Sequence, residues 1–191
     1  MPKLKALILL IMPVILLQGC AAAVVTGAAT GVAVVHDRRS AGTVLDDQSI
    51  EIKVSSILYS NKKIYDQSHV NATSYNGVVL LTGETPNEQL KQEVTKEVQT
   101  ILNVRRVQNE LVIAAPSSLP SRSSDAWITS KIKAKLTADK YIDPFFVKVV
   151  TEHGVVYLLG LVSHAEADRV VDIVSQSAGV QRVIKIFEYI D

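Results

Sequence analysis

The chain has 191 residues, with 20 Lys and Arg against 19 Asp and Glu and a formal charge of +1 at pH 7. That length suits one ordinary domain or two small ones, and the balanced charge offers no basic face for bulk nucleic-acid binding. A single cysteine excludes an internal disulfide and a cysteine-based zinc site within a monomer.

Lys3 and Lys5 form a short basic start, and Leu7 to Leu17 is an apolar run interrupted by Pro13. Gly19 then supplies the small residue that a signal peptidase needs before its cut. Residues 1–19 therefore read as a signal peptide, too short for a permanent span. Leu17-Gln18-Gly19-Cys20 resembles the bacterial lipobox. The resemblance implies a mature chain that starts at Cys20 and carries a diacylglycerol and an N-acyl chain there, with no other cofactor. Ala21 lacks the aspartate of an inner-membrane retention signal, which points to the outer membrane, facing the periplasm. Residues 20–45 read as a tether of small apolar residues that turns polar at His36.

A first folded unit is expected over 46–114. Asp46 and Asp47 are helix N-cap candidates. Ile50, Val54 and Leu58 recur every fourth residue, as on the inner face of an amphipathic helix. Val70 to Ser74 and Val78 to Gly83 read as strands around an Asn76-Gly77 hairpin turn. Pro86 opens a second helix with Leu90, Val94 and Val98 inward. Val104 to Ile113 is a closing strand. Residues 115–123, rich in Pro and Ser, read as an exposed linker.

Over 124–191 the same order returns. Ser124 or Asp125 caps a helix with Ile128, Ile132 and Leu136 inward, and strands follow on either side of His153-Gly154. A helix over Ala165 to Ala178 and a strand from Val180 close the unit. Gly77-Val78-Val79-Leu80-Leu81-Thr82-Gly83 matches Gly154-Val155-Val156-Tyr157-Leu158-Leu159-Gly160 with a shift of 77, and Val104-x-x-Val107 matches Val180-x-x-Val183 with a shift of 76. Gly77 and Gly154 suit the positive φ of tight hairpins, and Gly83 and Gly160 are expected to end strands. The fold class is α+β: two tandem αββαβ units.

These repeats, each with a Gly-Val-Val-x-Leu-x-Gly run and a closing Val-x-x-Val strand, resemble BON domains. The resemblance covers essentially the whole mature chain. It implies a small three-stranded mixed sheet with two helices on one face in each unit, an envelope location, binding of phospholipid, and a role in envelope integrity. With the lysines of the second unit's first helix, the lipid is expected to be anionic and the role to be support of outer-membrane integrity. Contacts with outer-membrane assembly or cell-division proteins are the alternative, and a haemolysin-like secreted protein is a third reading.

No GxSxG, P-loop or GxGxxG is present. His36, His69, His153 and His164 are scattered, read as solvated surface residues, and supply no third ligand for a metal beside a His153–His164 pair. No catalytic or metal site is expected. Trp127 is the single tryptophan. It sits at the start of the second unit's first helix, where Lys131 and Lys135 follow it at helical spacing. An indole beside lysines suits a membrane interface, and each lysine near anionic lipid is worth about 1 kcal/mol. The candidate lipid-binding set is Trp127, Lys131, Lys133, Lys135, Leu136 and Thr137, Leu136 being shared with the inward stripe. The competing reading makes Trp127 a lid on the core or an interdomain contact. The first unit has Ser49 at the matching place and keeps only Lys53, so lipid recognition is assigned to the second unit.

Overall fold

The computed structural model describes residues 37–191; the signal peptide, Cys20 and the tether as far as residue 36 lie outside the described residues. The first unit runs α1 (Ala41–Ser60), a short α2 (Lys62–Gln67), β1 (His69–Tyr75), β2 (Val78–Thr85), α3 (Glu88–Gln99), β3 (Arg106–Asn109) and β4 (Val112–Ile113). The second runs α4 (Leu119–Ala138), a 3-10 turn (Pro144–Phe146), β5 (Val147–Glu152), β6 (Val155–Val162), α5 (His164–Ser175) and β7 (Arg182–Tyr189).

Both leading helices start earlier than their sequence pattern suggests. Ser40 caps α1, its side chain accepting from the Thr43 amide, and Ser118 caps α4 with Pro120 in the first turn. Both helices therefore begin within the stretches read as tether and linker. Asp46, Asp47, Ser124 and Asp125 are not caps. Asp47 and Asp125 are buried nearly two turns into their helices, where each receives backbone N–H groups from its own unit's hairpin turn. Asp47 accepts from the amides of Asn76 and Gly77 at 2.7 and 2.9 Å and from the Ser74 hydroxyl at 2.6 Å. Asp125 accepts from the amides of His153 and Gly154 at 3.0 and 2.9 Å. A carboxylate before an apolar stripe looks like a cap because it does the same chemistry, for another segment's orphan amides. Pro86 likewise precedes the cap of α3, which is Asn87. Helix α5 ends at Ser175, short of Ala178, with Ser163 and Glu166 forming a capping box at its start.

Each sheet is mixed. β1 pairs antiparallel with β2, and β3 and β4 both pair parallel with β2. The first sheet thus has four strands where three were expected. Its closing run is broken at Glu110-Leu111: Asn109 turns its side chain toward α3, bonding Lys91 O and Thr95 Oγ1, and Leu111 dips into the core. The second sheet has the expected three strands in the order β5-β6-β7. Both hairpins use paired left-handed residues, Asn76-Gly77 with φ of 51° and 72° and His153-Gly154 with 50° and 71°, as a two-residue I′ turn requires. Gly83 and Gly160 do not end strands. They lie inside β2 and β6, where a Cβ would collide with the carbonyl oxygens of His69 on β1 and of Phe146 at the end of the 3-10 turn before β5.

Each sheet packs its two long helices on one face. Ile50, Val54, Leu90 and Val94 meet Val79 and Leu81 in the first unit; Ile128, Ile132, Leu136, Val170 and Val174 meet Val156 and Leu158 in the second. The remaining faces pack against each other. Tyr75, Val78 and Leu80 interlock with Tyr157, Leu159 and Ile186 in a third core. The result is an α/β/β/α sandwich with the sheets inside. Every residue of β2 is buried, which is why its first half, Val78-Val79-Leu80-Leu81, is an unbroken apolar run and not an alternating one.

The chain enters through two arginines read as linker. Arg38 donates to Leu161 O at 2.9 Å and to both carboxylate oxygens of Glu166 at 2.7 Å, and it lies over the Phe146 ring. Arg39 pairs with Asp37 and Asp47 and covers the Tyr75 ring. One arginine grips the second unit and the next grips the first.

Candidate functional site

The outward face of α4 carries the expected indole. Trp127 is 65 % exposed, so it is neither a lid on the core nor an interdomain contact. Lys131 Nζ stands 5.7 Å from the Trp127 ring centroid, within cation–π reach. The same amine donates to Ala178 O at 2.8 Å, and Lys135 Nζ donates to Ser177 Oγ at 2.9 Å. Both lysines therefore lean toward the C-terminal end of α5, where a cation is favoured. Lys133 and Thr137 are exposed, and the Thr137 hydroxyl bonds back to Lys133 O at 2.9 Å. Leu136 is 1 % exposed and sits in the second unit's core. Its place on the inward stripe keeps it from any lipid, and it leaves the candidate set. The exposed surface is thus one large amphipathic ring with cations to its side.

Sequence reasoning missed a second surface. On α1, Leu45, Ile52 and Tyr59 are 65–69 % exposed and recur every seven residues, so they share one outward face. The spacing was present in the sequence but was masked by the stronger inward stripe. Among the described residues, no helix is long and apolar enough to cross a membrane.

The histidines also depart from expectation. His69 and His153 are not simply solvated: both reach Glu84, a side chain with no solvent exposure near the end of β2. His69 Nδ1 lies 3.2 Å from Glu84 Oε2, which also accepts from the Ser117 amide at 3.0 Å. His153 Nε2 bonds Glu84 Oε1. Burial pushes the Glu84 carboxyl up, but the Ser117 amide and the two imidazoles outweigh it and hold the group below the ordinary carboxylate value. Glu152, also buried, accepts from Asn71 Nδ2 at 3.2 Å. Donor atoms of His69, Glu84 and Glu152 all lie within 4.8 Å of one another. His164 goes elsewhere, stacking on Tyr189 at 4.0 Å and bonding Asp191 at 2.8 Å, so the His153–His164 pair does not form. His36 lies outside the described residues. The three described histidines all bond carboxylates.

The BON domain family profile matches residues 46–115 and 124–190. The chain is 40 % identical over 188 residues to the outer membrane lipoprotein DolP of Haemophilus influenzae, covering 98 % of this chain and 97 % of that protein. It is 34 % identical over 154 residues to a 21 kDa hemolysin of Actinobacillus pleuropneumoniae, covering 81 % and 79 %. It is 31 % identical over 161 residues to the osmotically-inducible protein Y of Escherichia coli, covering 83 % and 80 %.

Proposed function

We propose a function from one premise: the chain belongs to the BON-domain family. It works as an outer-membrane lipoprotein, anchored by acyl chains on Cys20 and facing the periplasm. It is not an enzyme. Its second BON domain binds anionic phospholipid and so supports the integrity of the membrane. The observation that carries this reading is Trp127, a ring left 65 % exposed on α4 with Lys131 beside it. Exposing a large apolar ring to water is unfavourable; an interface removes its apolar body from water while the indole N–H stays among headgroups. Lys131, Lys133 and Lys135 add attraction to anionic lipid, and Thr137 lies at the edge of the same surface. A covalent anchor with several chains holds the protein without help, so this face selects where on the membrane the protein sits.

Trp127 is the only tryptophan, which makes its fluorescence a direct probe. Anionic vesicles should blue-shift the emission of protein lacking the acyl chains, zwitterionic vesicles should not, and salt should weaken the response. Emission unmoved by either vesicle would overturn the reading. Trp127→Ala should abolish vesicle binding yet change stability by no more than about 0.5 kcal/mol, as for exposed positions generally.

A second reading, a scaffold for outer-membrane assembly or division proteins, is favoured by the exposed Leu45, Ile52 and Tyr59 face of α1, since an apolar helix face suits a partner's groove. Such a contact would resist salt. A secreted cytolysin would need release from the membrane, which an acylated Cys20 opposes.

A further inference from the structure

We propose that His69, Glu84 and Glu152 form a binding site for one divalent transition-metal ion, zinc above all, which clamps the first BON domain to the second. His69 and Glu84 come from β1 and β2, and Glu152 from the end of β5. The donors already lie close to a coordination sphere. Zinc bonds nitrogen and oxygen at about 2.0–2.1 Å, which sets tetrahedral donors about 3.3 Å apart. His69 Nδ1 and Glu84 Oε2 are 3.2 Å apart. Glu152, within 4.8 Å of both, has only to draw in. One imidazole with two carboxylates suits zinc and its neighbours in the transition series, whereas calcium and magnesium favour all-oxygen shells.

Charge supports the same conclusion. Glu84 is 0 % and Glu152 7 % exposed. Among the described residues the ion pairs of Glu84 are to histidines alone, and Glu152 has none. Two buried carboxylates thus come together across the domain boundary, and among the described residues neither is in an ion pair with a Lys or Arg. Buried charges are normally paired or bound to metal. An outer layer of bonds is also in place. His153 and the Ser117 amide hold Glu84, and the Asn71 side chain holds Glu152, as partners around metal ligands do. His69, Asn71 and Glu152 line a cavity of about 610 Å³ that gives the ion a route in.

The test is zinc titration of the untagged full chain in detergent, followed by thermal denaturation and, with Co²⁺ as a substitute, by visible absorption. One equivalent of zinc should raise the melting temperature, and Co²⁺ should show the bands of a tetrahedral ion. Glu152→Gln, which keeps the bond to Asn71, and His69→Gln should each weaken zinc at least about ten-fold; His164→Gln should not. If His69→Gln fails to fold, Glu152→Gln decides. No melting shift and no Co²⁺ bands would overturn the proposal. So would a zinc response equally strong in Glu152→Gln, which would place the ion elsewhere.

Discussion

Two aspartates show how much a single side chain fixes. Asp47 and Asp125 each stand in the interior of a helix and cap the turn of a hairpin. The turn amides have no strand partner, and a buried orphan amide is costly. Asp47 also carries Arg39 at 2.8 Å, so it anchors the chain's entry as well. Asp125→Ala should cost about 2 kcal/mol through unsatisfied buried amides, and Asp47→Ala about 3 kcal/mol because it also removes the acceptor of the Ser74 hydroxyl and one of the two carboxylates paired with Arg39. Urea unfolding of the two variants measures both, and equal losses would count against the extra role of Asp47. The Arg38–Glu166 pair predicts an acid limb. The bond from Arg38 holds the Glu166 carboxyl down to about 2 from its ordinary 4.5. A lowered native value means the stabilisation is complete above about 4.5 and is lost as pH falls toward about 2. Glu166→Gln should therefore flatten the fall of melting temperature over that interval and leave its course near neutrality unchanged.

At the scale of elements, β2 and β6 are the parts that tolerate least. Gly83 adopts φ 110° beside the His69 carbonyl, and Gly160 lies against that of Phe146. Gly83→Ala should cost about 3 kcal/mol or more, combining backbone strain with a steric clash; calorimetry of the variant checks it. The αββαβ order, the hairpin turns and the inward stripes were legible because each rests on local periodicity or turn chemistry. Helix starts were not. Ser40 and Ser118 are weaker caps to the eye than the aspartates that follow, yet those aspartates were committed to distant amides. The break between β3 and β4 depends on Asn109 meeting α3, a contact no local pattern contains. The helical spacing left open whether the Trp127 ring is exposed or packed, and the ties of Lys131 and Lys135 to the end of α5 were not legible, since they join residues 42 or more positions apart. The meeting of His69, Glu84, Glu152 and His153 was invisible for the same reason.

For the whole molecule, the core between the sheets decides cooperativity. Leu80 and Leu159 lie in that seam, so truncating either removes apolar contact from both domains at once. Leu80→Ala should cost about 2–5 kcal/mol and lower the protection of α3 and α5 amides together in hydrogen exchange. Loss confined to α3 would mean the domains unfold independently. The unbroken apolar run in each central strand was a readable sign that both faces of β2 and β6 are covered, although nothing in it says that each covers the other.

That shared seam bears on self-association. A lone αββαβ unit of this kind would leave one sheet face bare, and a bare apolar sheet must find a mate. Within one chain the meeting of the two faces is intramolecular, with the short tie between halves setting a high effective concentration. Arg105 meets Glu188 at 3.0 Å, and Glu84 meets His153, each pairing one half with its opposite. Two first halves brought together would have no Glu188 for Arg105 and no His153 for Glu84, so these pairs favour the union of unlike halves.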